Sequence, residues 1–341
     1  MPLAPDGAQR ASLRTGVATR RRSALSLALT ALVALSLVLP GPVAGSSDPA
    51  PGTVPGELIV GLAAAAPGPA VTALPLPDAV AAGPRPKVVL VVGPVGTWTT
   101  RRYVAKARRL AAIARAEGAD VVEIYSPNAT WARVREAAAG ANVLVYLGHG
   151  SGYPNPYGPY DPAKQEGLGL NPRAGAGNGT TRYYGASHVA GLGLAPGSAV
   201  ILNHLCYASG NNEWGRGNPT RAVAMRRADG FGHGFLRGGA SAVFADGIGD
   251  PAHLLRGLLR GAATPRELFW GAGHATRRHA LAFVSKRTPG AGVLMDPYAP
   301  GRYYRSVVGV LDTPISAWGD PAAWPVAEQS ATGSVPTEAT P

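Results

Sequence analysis

Through the middle of the chain, short runs of consecutive apolar residues alternate with longer stretches in which apolar residues recur every three or four positions. KVVLVVGPV (87–95) is a continuous β-branched run, the pattern of a strand covered on both faces. The stretch TTRRYVAKARRLAAIARAEG that follows repeats Tyr103, Ala107, Leu110 and Ala114 at helical spacing. Thr99 or Thr100 can cap it and Gly118 supplies a stop. ADVVEIYSP (119–127) predicts a second strand, ATWARVREAAAG (129–140) a second helix and ANVLVYLGHG (141–150) a third strand. After a long intervening segment, SAVILNHLC (198–206) reads as the fourth strand. Asn218 as cap and Pro219 at the first helical position begin a helix through NPTRAVAMRRADG. GFLRGGASAVFADG predicts a short helix, a glycine turn and a fifth strand at 241–247. AHLLRGLLRG and PRELFWGAG add helix, and RSVVGVL (305–311) reads as a last strand. This alternation predicts an α/β fold: a mostly parallel sheet with helices on both faces.

The ends of the chain have a different character. Arg20, Arg21 and Arg22 form a basic region before an uncharged Leu/Ala/Val run, 24–39, and GPVAG follows with small Val43 and Gly45 ahead of a cut. Residues 1–45 therefore read as a cleaved signal peptide, with the twin-arginine route as one alternative to the general one. The apolar run is short for a membrane span and ends in Pro40-Gly41-Pro42, so no stable anchor is expected after cleavage. Residues 46–85 read as a Pro/Ala-rich linker, in which GELIVGL (57–63) could form an edge strand. The folded domain is 86–318, and 319–341 is a disordered tail. The protein is expected to be secreted or held in the cell envelope.

Of the formal charge of +12 over 341 residues, residues 1–45 contribute +4, from five Arg and one Asp, leaving +8. The remaining cations are scattered arginines rather than a basic stripe interleaved with aromatics, so nucleic acid is not an expected partner. There is no P-loop and no G-x-S-x-G elbow. The glycines of RAGAGNG (173–179) do not stand between a strand and a helix, so no nucleotide cofactor is expected.

An exported chain usually pairs its cysteines, yet Cys206 is alone. A lone thiol is an inert buried group, an intermolecular bridge or a reactive group. In parallel sheets functional groups gather at the carboxyl ends of the strands. His149 stands at that end of the third strand and Cys206 at that end of the fourth. An imidazole beside a thiol can take its proton and generate the nucleophilic thiolate. Gly150 allows close approach of a substrate carbonyl and leaves its N–H free to help hold an oxyanion.

The pair LVYLGHG and ILNHLCYASG resembles the two motifs of the caspase-like cysteine peptidases, the group with caspases, legumains, gingipains, clostripain and CHAT-type domains. The stretch GFLRGGASAVFADGIGD is similar to the segment that follows the cysteine in CHAT-type members. The resemblance covers roughly residues 87–311. It implies a three-layer α/β/α sandwich, Cys206 as nucleophile, His149 as general base and acid, and an oxyanion site from the backbone N–H groups of Gly150 and Cys206. It also implies that the residue two before the cysteine, here His204, lines the first specificity pocket, where several members carry Gln or Glu.

Other residues have competing readings. By strand alternation His204 and Cys206 share a face, so a metal could bind both, but no third and fourth ligands cluster in sequence and no metal is expected. Asp246 and Asp250, just after the fifth strand, could hold a basic substrate side chain, or could serve as turn and cap residues. Tyr153, with Tyr157 and Tyr160, could wall a cleft beside His149 or pack the long connection 151–197 onto the domain; ASHVAGLGL (186–194) would add a short turn of helix. The expected function is a secreted cysteine peptidase acting on a peptide or protein substrate without a cofactor. A non-catalytic exported binding or scaffold module of the same fold and a thiol acyltransferase are the alternatives.

Overall fold

The computed structural model describes residues 85–261 and 263–314. The expected signal peptide, the linker up to residue 84 and the disordered tail, with the edge strand at 57–63, lie outside the described residues. In chain order the elements are β1 (Lys87–Val92), α1 (Thr97–Ala116), β2 (Asp120–Tyr125), α2 (Trp131–Ala138), β3 (Val143–Leu147), β4 (Leu168–Leu170), β5 (Arg182–Tyr184) and α3 (Ala186–Val189). Then follow β6 (Ser198–Asn203), α4 (Arg221–Arg237), β7 (Ala240–Asp246), α5 (Ala252–Arg260), α6 (Pro265–Trp270), β8 (Leu281–Val284), β9 (Gly292–Met295) and β10 (Arg305–Gly309).

An eight-stranded sheet in the order β2-β1-β3-β6-β7-β10-β9-β8 forms the middle layer. From β2 to β7 every pairing is parallel, and β10, β9 and β8 extend it antiparallel. The inner parallel strands β1, β3, β6 and β7 are the apolar runs of the sequence, because helices cover both of their faces, whereas the edge strand β2 is only partly buried. Alternate residues go to opposite sides: Val88, Leu90 and Val92 of β1 pack with α1, α5 and α6, while Val89 and Val91 pack with α2, α3 and α4. This is the three-layer α/β/α sandwich expected from the sequence.

Several details differ from expectation. Strands β3 and β6 stop at Leu147 and Asn203, so His149 and Cys206 lie beyond the strands rather than within them. Helix α4 is one continuous helix capped by Thr220, whose side chain accepts from the Val223 N–H; Asn218 and Pro219 precede it. The connection 151–197 carries a small antiparallel pair, β4-β5, as well as the helical turn α3. The hairpin β8-β9 at the sheet edge was not foreseen.

The glycines that interrupt α4 as a helix former serve its packing. A Cβ on Gly230 would lie 2.0 Å from the Glu166 carboxylate. Glu166 is fully buried there, bonded by the Tyr160 hydroxyl at 2.7 Å and by Arg287 at 3.1 and 3.3 Å. This cluster fastens the 151–197 connection to α4 and to the segment after β8.

Candidate active site

The parallel register sets Leu147 of β3 beside Asn203 of β6, so the loops carrying His149 and Cys206 leave the same edge of the sheet side by side. The first loop is pinned from below. The Tyr146 hydroxyl lies 2.6 Å from the Gly169 carbonyl and 3.1 Å from that of His149, and the Gly169 N–H donates to the His149 carbonyl at 3.2 Å. Burial holds the His149 imidazole below its ordinary pKa, with the Glu213 charge opposing in part. The ring is therefore neutral near pH 7, the form that can accept a proton. Among the described residues it makes no hydrogen bond, either to the thiol or elsewhere.

The second loop turns sharply. His204 and Tyr207 both take positive φ, 62° and 70°, in the left-handed region that L residues rarely occupy. Cys206 is half-buried between them. Burial pushes its thiol pKa up, the Glu213 charge adds to that, and a backbone hydrogen bond from Trp214 works the other way. The resting pair is thus a neutral thiol and a neutral imidazole.

The two loops meet at their backbones. A Cβ built on Gly150 would lie 2.4 Å from the Cys206 carbonyl oxygen and 3.2 Å from the Leu205 Cβ, so only glycine fits. Among the described residues neither the Gly150 N–H nor the Cys206 N–H has an acceptor. Two free donors beside a thiol are the elements of an oxyanion site.

The remaining sequence-derived candidates are placed differently. The face shared by His204 and Cys206 does not exist, because alternation ends at Asn203 and the positive φ of His204 redirects its side chain. The His204 ring stacks on Tyr103 of α1 at 5.1 Å and 9°, with Lys106 Nζ 2.8 Å from its Nε2 and the Gly247 carbonyl 3.0 Å from its Nδ1. Cys206 packs against the core on the α4 side. The Asp246 carboxylate is buried and occupied: His274 Nε2 lies at 2.8 Å, and the Ile248 and Gly249 N–H groups donate at 3.0 and 2.6 Å. Although burial pushes its pKa up, these partners hold the Asp246 carboxyl below its ordinary value. Asp250 pairs with Arg109 at 2.5 Å and accepts from the Ala252 N–H. Both aspartates are thus engaged within the protein. Tyr153 lies against Tyr160, with Arg226 of α4 4.6 Å above its ring.

Two residues absent from the sequence reading organise the site. Glu213 acts on both His149 and Cys206, and is held by Tyr207 at 2.6 Å and Tyr157 at 2.7 Å. Its only sequence signal is an acid seven positions after the lone thiol. Arg227 of α4, buried, donates to the Pro154 and Asn211 carbonyls at 2.7 and 2.8 Å and to Asn212 Oδ1 at 3.0 Å. It also sits 4.6 Å over the Tyr207 ring, tying the segment after His149 and the loop after the thiol to one helix.

No family model and no curated protein matches this chain. Similar solved structures include the following two. One is the Arg-specific cysteine proteinase gingipain R, 12% identical over 67% of this chain and 61% of that one, with a TM-score of 0.31. The other is a secreted C11 cysteine protease from Bacteroides thetaiotaomicron in complex with an irreversible peptide inhibitor. It is 8% identical over 62% of this chain and 66% of that one, with a TM-score of 0.32. The chain spans less than two thirds of either of these proteins.

Proposed function

We propose that this protein is an exported cysteine peptidase that hydrolyses peptide bonds with Cys206 as nucleophile and His149 as general base and acid. The observation that carries the reading is the joint placement of the lone thiol and a neutral histidine. They stand on touching loops at the carboxyl ends of adjacent parallel strands, next to two unengaged backbone N–H groups.

In this reading the imidazole takes the Cys206 proton as the sulfur attacks the substrate carbonyl carbon. The oxyanion of the tetrahedral intermediate accepts hydrogen bonds from the Gly150 and Cys206 N–H groups. The imidazolium returns its proton to the amine nitrogen as the C–N bond breaks, leaving a thioester on Cys206. Water then gives a proton to His149 and attacks the thioester, the C–S bond breaks, and the thiol regains a proton. Substrate binding is what brings the base into reach, because the resting pair is not hydrogen-bonded. The basic region and apolar run of residues 1–45 support export.

The test is a panel of peptides carrying a thiol-directed acyloxymethyl ketone, followed by mass spectrometry. Covalent adducts on Cys206, lost in His149→Ala, support the reading; a thiol that no peptide labels faster than a simple alkylating reagent does overturns it.

A further inference from the structure

Helix α1 carries five arginines and a lysine in 20 residues and no acidic residue. Its buried residues, among them Ala107, Leu110 and Ala114, face the sheet. The exposed arc opposite has a regular build. Arg101, Arg108 and Arg115 recur every seven residues and form one row, and Arg102 and Arg109 form a second. Ala105 and Ala112 stand exposed on the ridge between the rows. At a rise of about 1.5 Å per residue the first row runs about 21 Å along the helix. Arginines that are scattered in the sequence are thus gathered on one convex face.

Part of this charge is matched by acids. Arg109 pairs with Asp250 at 2.5 Å, Arg115 with Glu123 at 2.5 Å, and Arg260 of α5 with Glu117 at 2.7 Å. The first and last of these pairs hold α5 alongside α1. Helix α5 contains no acid and adds the exposed Arg256 to the face. Among the described residues Arg101, Arg102, Arg108 and Arg256 have no carboxylate within 4 Å. Four exposed cations therefore remain without counter-charge. One end of the face is apolar as well. The Trp98 side chain is 70% exposed, and the Arg102 guanidinium lies 5.1 Å from the centre of its ring. Ile248, also exposed, lies beside Thr99 and Arg102. An exposed indole and an aliphatic side chain next to unpaired cations suit the headgroup region of a bilayer.

We infer that the α1–α5 face is a docking surface for a membrane that carries anionic phospholipids. Arg101, Arg102, Arg108 and Arg256 are its counter-charges. Trp98 and Ile248 enter the interface at the end of α1 that lies at the same sheet edge as Cys206. A flat lipid surface fits this face better than a nucleic acid does. A polyanionic chain is held in a groove with aromatic rings interleaved for stacking. Here the arginines stand on a convex face among alanines, and the one exposed ring is at its end. Docking of this kind is reversible and screened by salt, unlike a spanning anchor. It needs nothing from the peptidase reading.

The experiment sediments the full chain with vesicles of phosphatidylcholine, with and without phosphatidylglycerol, and reads the ratio of anionic to neutral binding. Wild-type protein is compared with Arg101→Glu/Arg108→Glu and with Arg135→Glu/Arg221→Glu. The second pair makes the same change in net charge at exposed positions of α2 and α4, across the sheet. All three chains share their N-terminal segment, so differences among them report the arginines. Each is first shown to keep the wild-type melting transition. The wild type is expected to prefer the anionic vesicles. That preference falls at least about tenfold in the α1 variant and stays within about twofold in the other, because a cation at such a surface is worth about fivefold in binding. It also fades between about 0.1 and 1 M salt, as the screening length drops from about 10 to about 3 Å. The neutral pair Arg101→Gln/Arg108→Gln should show a smaller loss in the same direction, and replaces the first variant if reversed charges unsettle α1. A wild type without anionic preference, an unchanged α1 variant, or equal losses in both charge-reversed variants overturns the surface. Tighter binding of a dye-labelled oligonucleotide than of vesicles, lost in the α1 variant alone, overturns it in favour of a nucleic-acid partner.

Discussion

Gly150 and Cys206 touch through their backbones: a Cβ on the first would sit 2.4 Å from the carbonyl oxygen of the second. That contact sets the separation of the loops that bear the imidazole and the thiol. It leaves no room for a side chain, and the atom opposed is backbone, which cannot swing aside.

Gly150→Ala is therefore expected to push the two loops apart. Overpacking of this kind costs about 1–3 kcal/mol of stability. The larger effect falls on turnover, about a hundredfold, because a shift near 1 Å misaligns the dyad and the oxyanion donors. Paired thermal melts and kcat/KM measurements check this; a variant with near-normal turnover would show that the contact does not position the chemistry.

A pH profile reports the dyad. Burial lowers the His149 pKa from its ordinary 6.5 and raises that of the Cys206 thiol. The acidic limb of kcat/KM, where His149 must lose its proton, is expected below pH 6.5. Glu213 raises both groups, so Glu213→Gln should move both limbs of the profile to lower pH. A shift in the opposite direction would mean that another group controls the profile.

The Glu166–Arg287 pair tests the architecture apart from the chemistry. Burial outweighs its partners and raises the Glu166 pKa, so its contribution to stability is greatest below the unfolded-state value and falls as pH rises through the folded one. Arg287→Met leaves a buried carboxyl without its cation and is expected to cost about 3–5 kcal/mol at neutral pH, with part of the loss recovered in acid. Denaturant melts at two pH values measure it. Equal losses at both would mean that the carboxyl stays protonated throughout.

Arg227 holds the segment after His149 and the loop after the thiol through directed N–H groups. Arg227→Lys keeps the charge but loses the fork, so it should not restore what Arg227→Met removes. Both variants are expected to fold and to react with peptidyl probes about tenfold or more slowly. Full rescue by lysine would reduce the role of Arg227 to its charge.

How much of this was legible in the sequence depends on the range of the interactions involved. The four inner parallel strands and their covering helices could be read because burial on both faces leaves an unbroken apolar run. The strand-end placement of His149 and Cys206 followed from those runs. The hairpin β8-β9 was missed because β8 is an exposed edge strand with alternate residues open to solvent, which leaves little apolar signal. The redirection of His204 depends on a single positive φ in a non-glycine residue, which no pattern announces. The partners that occupy Asp246 and Asp250, His274 and Arg109, stand 28 and 141 positions away. Only the folded chain shows that these acids are occupied.

The central claim is that Cys206 and His149 act together on a peptide bond. It is tested most directly by turnover of an internally quenched peptide library by wild-type protein, Cys206→Ala and His149→Ala, each first shown to keep the wild-type melting transition. The account predicts cleavage by the wild type and the loss of nearly all of it in either variant, because nucleophile and base work as one unit. Cleavage by Cys206→Ala at the wild-type rate, or a folded wild type that cleaves no member of the library and takes no peptidyl probe, would contradict it.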